Sequence, residues 1–106
     1  MDPLTTSIVA VLSKYAVDKG ATLLKEAGQA AVDAAARLFE KVIGKLKADP
    51  AEAKSAARFE QNPEGYQAPV ADAVDEKLKT DPSFAAELKA LLAEYEKAAS
   101  TMIVNT

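Results

Sequence analysis

Any chemistry in this chain falls to carboxylates, lysines and hydroxyls, because histidine, cysteine and tryptophan are absent. That removes the usual proton shuttle near neutral pH, the thiolate nucleophile and the common soft metal ligands. A di-metal carboxylate bundle needs inward Glu-x-x-His pairs, and there are none. The four glycines, at 20, 28, 44 and 65, are scattered and form no phosphate-cradling loop. The carboxylates occupy capping and helix-surface positions, and Glu94, Glu96 and Lys97 read as a solvated face. Nucleic-acid binding calls for a basic stripe interleaved with aromatics. Lys41, Lys45 and Lys47 do cluster, but at the end of a helix, where cations complement the dipole. These residues point to a non-enzyme with no cofactor, no metal and no nucleic-acid partner.

The information lies instead in the hydrophobic pattern. At 106 residues, 49% hydrophobic and 27% charged, the chain has the size and balance of one ordinary domain. Alanine dominates its apolar share and Val and Ile are sparse, which favours helix over sheet. The net charge of −3 is uneven. Residues 1–48 hold seven basic against five acidic groups, and residues 49–106 hold six against eleven. The mildly basic half could face an anionic surface, though two charges steer little at physiological salt. Lack of cysteine suits a reducing compartment. The Met1-Asp2 start lacks the basic region of a secretory signal, and the uncharged run ends at Ser13, short of the roughly 20 residues of a spanning helix. A cytoplasmic location is expected.

Four pairs punctuate the chain: Asp2-Pro3, Asp49-Pro50, Asn62-Pro63 and Asp81-Pro82. Each sets a capping side chain before a proline that suits a first helical turn. They predict an all-α, compact bundle of about five helices. The first covers residues 3–18, with Gly20 as its break and hinge. The second covers residues 21–46, with Leu24, Ala27, Gly28, Ala31, Ala35, Leu38, Phe39, Val42 and Leu46 inward. A third covers residues 51–61. Gly65 and Pro69 oppose one unbroken helix from Pro63, so a turn is expected before a fourth helix over residues 68–79, with Val70, Val74 and Leu78 as its apolar line. The fifth starts at Asp81-Pro82. The helical-bundle domain is residues 1–99, and the uncharged, β-prone residues 100–106 read as a tail or linker stump.

The first helix stands apart. Leu4, Ile8, Val11, Leu12 and Tyr15 repeat at the same offsets as Phe84, Leu88, Leu91, Leu92 and Tyr95 of the fifth. The faces opposite differ, for the fifth helix carries Glu87, Lys89 and Glu94 where the first carries only Lys14. A helix with an uncharged back suits being surrounded, so the first is expected to be either central or mobile. Burying its five large apolar side chains is worth roughly 7–15 kcal/mol as an upper bound, in a bundle core or a bilayer interface alike.

The opening Met1-Asp2-Pro3-Leu4-Thr5-Thr6-Ser7-Ile8-Val9-Ala10 resembles the start of the bacterial Bell domains. So do Ala30-Ala31-Val32-Asp33-Ala34 before Leu38, and Glu60-Gln61-Asn62-Pro63-Glu64 followed by Ala68-Pro69-Val70. The likeness covers about residues 1–99 and closes with the Asp81-Pro82 helix. Bell domains are helical bundles regarded as counterparts of fungal HeLo domains and of the four-helix bundle of the necroptosis pseudokinase. The resemblance implies a HeLo-like, membrane-targeting cell-death effector of prokaryotic immunity. In that family a C-terminal amyloid signalling motif is templated by a matching motif on a NOD-like receptor. Oligomerisation then frees the N-terminal helix for insertion and pore formation. Carried onto this chain, the membrane-active segment is Pro3 to Tyr15, with Leu4, Ile8, Val9, Val11 and Leu12 as apolar contacts.

No amyloid motif is visible, although Ile103-Val104-Asn105-Thr106 would make an approach to one. The chain therefore resembles an effector domain cut just before its switch. Its expected partners are membrane lipids, further copies of itself and, through the missing segment, such a receptor. It would move from the cytoplasm to the inner face of the plasma membrane. The alternative from another class is a death-fold-like adaptor that acts by protein–protein contact without touching lipid.

Overall fold

Asp2 and Pro3 open the first helix as their types dictate. Asp2 Oδ1 accepts the Leu4 amide at 2.8 Å, and Pro3 fills the first turn, where no N–H is missed. The structure, a computed structural model, describes residues 2–104, with side chains for residues 2–100. Six helices follow one another: α1 (Pro3–Asp18), α2 (Ala21–Ala27), α3 (Gln29–Lys47), α4 (Ala53–Gln61), α5 (Pro63–Thr80) and α6 (Pro82–Val104). No strand occurs among the described residues. The radius of gyration, 13.2 Å, is that of a folded chain of this length, about 13 Å.

The extra helix comes from Gly28. The expected second helix divides there, because Gly28 adopts φ 88°, ψ 173°. A residue with a Cβ pays heavily for such a backbone, so only glycine serves. The break also resets the helical phase. Leu24, expected inside, is 44% exposed, while Leu23 and Ala27 enter the core. Beyond the break α3 keeps the expected stripe, with Ala31, Ala35, Leu38, Val42 and Leu46 buried and Phe39 half-buried.

Three other boundaries differ from expectation. Asp49-Pro50 opens a turn rather than a helix: Asp49 Oδ1 accepts the Ala51 amide at 3.0 Å, and its carbonyl accepts those of Glu52 and Ala53. α4 begins only at Ala53, so Asp49 caps the approach and not the helix itself. Asn62 does cap α5, its Oδ1 accepting the Gly65 amide at 3.1 Å. The first turn then forms on Pro63, and the Gly65–Pro69 obstacle yields a kink at Tyr66 (φ −118°, ψ 15°) instead of a separate turn. Asp81 caps α6 through the Phe84 amide at 3.1 Å. α6 continues helical to Val104, five residues past the boundary drawn at Ala99. β-propensity is a weak prior against propagation of an existing helix. Asn105 and Thr106, the end of the segment read as a tail, lie outside the described residues.

α3 is the helix that all the others pack on, and its most extensive partner is α6. The core runs from Ile8 and Leu12 through Leu38, Val42 and Leu46 to Phe59, Val70, Val74 and Leu88. Arg37–Glu94 (3.6 Å), Lys41–Glu87 (2.9 Å) and Lys45–Asp81 (2.6 Å) line the α3–α6 seam. Lys47 pairs with Glu60 of α4. The lysine cluster at the end of α3 is thus occupied by partners within the bundle. Such partly exposed pairs contribute at most about 1 kcal/mol each and mainly set register.

Candidate functional site

The uncharged opening segment folds as α1, which lies on α5 and α3 with smaller contacts to α2 and α6. It was expected to be central or mobile. The central place belongs to α3, and α1 keeps a stripe in solvent. Its main neighbour is α5.

Of the residues named for membrane contact, Ile8, Val9, Val11 and Leu12 are buried, Leu4 and Tyr15 are half-buried, and Pro3 is exposed. Thr5, which lies outside the five-residue apolar stripe, is fully buried as well. A helix wedged between two neighbours buries a wider arc than the five-residue stripe, which explains the addition of Thr5 and Val9. The exposed side is Pro3, Thr6, Ser7, Ala10, Lys14 and Val17. These stand at i, i+3, i+4, i+7, i+11 and i+14, one continuous face. The charges on this side are Lys14 and the exposed Asp18, at i+15, both in the last turns of the helix.

Two ends hold α1 by different means. At its C-terminal end the Tyr15 ring tilts against Phe39 at 5.2 Å between centroids, and Phe39 stacks on Phe59 at 6.4 Å. The chain then turns through Lys19 (φ 56°) and Gly20 (φ 89°), both left-handed. Gly20, named as hinge, is a buried corner. A Cβ there would lie 3.1 Å from Val32 and 3.2 Å from Tyr15. Asp18 reaches across the corner, its Oδ2 accepting both the amide and the hydroxyl of Thr22 and so capping α2.

At the N-terminal end the hold is polar. The Thr5 hydroxyl donates to Asp75 Oδ1 of α5 at 2.8 Å, and the Asp2 amide approaches the same oxygen at 3.4 Å. Lys79 pairs with the other carboxylate oxygen at 2.9 Å. Sequence reasoning missed Thr5, Asp75 and Lys79. Asp75 follows Val74 on the flank of the apolar line of α5, and nothing in spacing says that a threonine 70 residues away will meet it. A further polar group is less well placed: Ser13 Oγ is buried without a hydrogen-bond partner. That works against docking of α1, since a buried unpaired hydroxyl costs about 1–3 kcal/mol.

The Lys79 pair and the Thr5 bond hold the Asp75 carboxyl at about 2, below its ordinary 3.8. Lys77 lowers Asp49 and Lys45 lowers Asp81 in the same direction. A lowered folded value means that the native state binds fewer protons than the unfolded chain. The stabilisation is complete above about pH 4 and disappears as the pH falls through the folded values, near 2 for Asp75. Thermal midpoints followed by circular dichroism are expected to hold from pH 7 to about 5 and to drop between about 4 and 2. In Asp75→Asn the drop should be shallower, and an identical slope would remove Asp75 from the account.

Among the described residues no group of three or more acidic side chains is placed to hold a metal ion, and no helix is long and apolar enough to cross a membrane. Comparison with family models, with curated proteins and with solved structures finds no match for this chain.

Proposed function

We propose that this protein is a membrane-targeting cell-death effector of prokaryotic immunity, with α1 as the element that enters the bilayer. The observation that carries the reading is α1 itself. Between Asp2 and Lys14 it has no charge on any side, and Pro3, Thr6, Ser7 and Ala10 make its exposed face. No other helix has so long an uncharged stretch. The likeness to the Bell domains supports the same assignment and the finer one, a HeLo-like bundle.

Energetics shape the mechanism. Ile8, Val9, Val11 and Leu12 are buried, so releasing α1 into water costs roughly 6–12 kcal/mol as an upper bound, comparable to the stability of a whole domain. Release into water is therefore rare. Transfer into a bilayer interface returns nearly the same apolar term, so the exchange is close to balanced. Sixteen residues span roughly 24 Å, short of a hydrocarbon core of about 30 Å. One copy lies in the interface, and several clustered copies permeabilise together by avidity. Clustering comes through an amyloid motif beyond these residues, templated by a NOD-like receptor. The resting protein is cytoplasmic and relocates to the inner face of the plasma membrane. No enzymatic step, cofactor or nucleic acid enters.

The test uses dye-loaded anionic liposomes and protein clustered artificially. Wild type is expected to release dye when clustered. Thr6→Asp and Ala10→Asp, on the exposed face, should keep the fold and lower release by about tenfold or more, because a charge entering the apolar region opposes insertion. The proposal is lost if clustered protein leaves the vesicles intact or if both variants leak like wild type. A second reading, the death-fold-like adaptor, draws on Val17 and Leu24, 62% and 44% exposed large hydrophobics. It expects homotypic assembly without lipid and α1 protected from hydrogen exchange throughout.

A further inference from the structure

We infer that Asp75 is the latch of α1, an autoinhibitory contact from α5 whose loss lets α1 open from its N-terminal end. The inference deepens the reading above and rests on it for its consequence, namely that α1 leaving the bundle is the active event.

The first turn of α1 has little apolar anchorage. Pro3, Thr6 and Ser7 are exposed and Leu4 is half-buried, whereas the large buried anchors begin at Ile8. Besides Leu4, which packs against the core, one carboxylate ties this turn to the bundle. Asp75 gathers the Thr5 hydroxyl at 2.8 Å, the Asp2 amide at 3.4 Å and the Lys79 ammonium at 2.9 Å. Thr5 is the buried polar residue of the described chain, and Asp75 is the acceptor that satisfies it.

The contact is also the one that lipid cannot replace. Ile8, Val9, Val11 and Leu12 find apolar surroundings in the core or in a bilayer, so they bias the choice only weakly. A hydroxyl-to-carboxylate bond from α5 exists only in the docked state, and all of its energy favours docking. Opening strands neither partner. A threonine in a helix can turn its hydroxyl to a backbone carbonyl of the preceding turn, and Asp75 keeps Lys79 and gains water. The contact is thus selective for the docked state yet reversible.

Hydrogen exchange of the full chain, resolved along α1, tests the latch without any membrane. The informative amides are those of residues 7–12, since the first four of a helix lack intrahelical partners. In Asp75→Ala these are expected to exchange about tenfold or more faster, with α3 and α6 unchanged. Thr5→Val keeps the buried volume, removes the hydroxyl and should act alike. The latch is refuted if α1 exchange stays at the wild-type rate in both variants, or rises only in step with α3 and α6. The same variants, clustered on dye-loaded anionic vesicles, should leak sooner than wild type. If α1 opens faster while leakage stays the same, the latch stands and the membrane reading falls.

Discussion

Ile8→Asp is expected to leave no stable bundle. Ile8 is fully buried between α1 and its bed, in the same cluster as Leu12 and Leu38. The substitution removes a large core side chain and puts a carboxylate in its place. Large-to-small changes of this kind cost about 2–5 kcal/mol, and desolvating a charge adds several more or forces the group to protonate. A domain of this size holds only about 5–15 kcal/mol in all. Circular dichroism should show lost or non-cooperative melting for Ile8→Asp. Ala10→Asp, two residues on and facing solvent, should melt within about 0.5 kcal/mol of wild type. The contrast matters for function, because loss of membrane activity in Ile8→Asp would report on folding. A cooperative Ile8→Asp protein of near-normal stability would contradict the burial of α1.

Phe59→Ala is expected to cost about 3–5 kcal/mol. Phe59 is the largest of the fully buried side chains and ends the ladder Tyr15–Phe39–Phe59, which ties α1 through α3 to α4. Removing it leaves a cavity under two helices and takes away the ring that Phe39 stacks on. At roughly 4–8 °C per kcal/mol for a domain slightly smaller than this one, the thermal midpoint should fall by at least about 12 °C. Leu24→Ala deletes a residue of comparable hydrophobicity from the 44% exposed position and should shift it little. A Phe59→Ala loss no larger than the Leu24→Ala loss would show that the α3–α4 contact is not a core contact.

Much of the fold was legible because it is local. Asp2, Asn62 and Asp81 cap the helices they precede, for the cap bond spans two or three residues and depends only on them. The stripe of α3 from Ala31 to Leu46 and that of α6 from Phe84 to Tyr95 follow from period alone. Legibility ended where two local readings competed. At Gly28 the residues read as a helix interior, and the break found there moved Leu23 in and Leu24 out. At Asp49 and Pro69 the punctuation was seen, but whether it would start, kink or delay a helix depended on what packed there.

For the candidate site the division is sharper. The sequence by itself determined that the first helix carries no charge from Pro3 to Ser13 and that it starts at Asp2-Pro3. It determined also that histidine, cysteine and tryptophan are absent. Only the tertiary structure decided which neighbours cover that helix, which arc stays wet, and that Thr5 meets Asp75. The reason is physical. Caps and periodicity are set by bonds within a turn or two, whereas the bed of α1 is chosen by the joint packing of α3 and α5. Contacts between residues 70 positions apart carry no signature in the spacing of either segment.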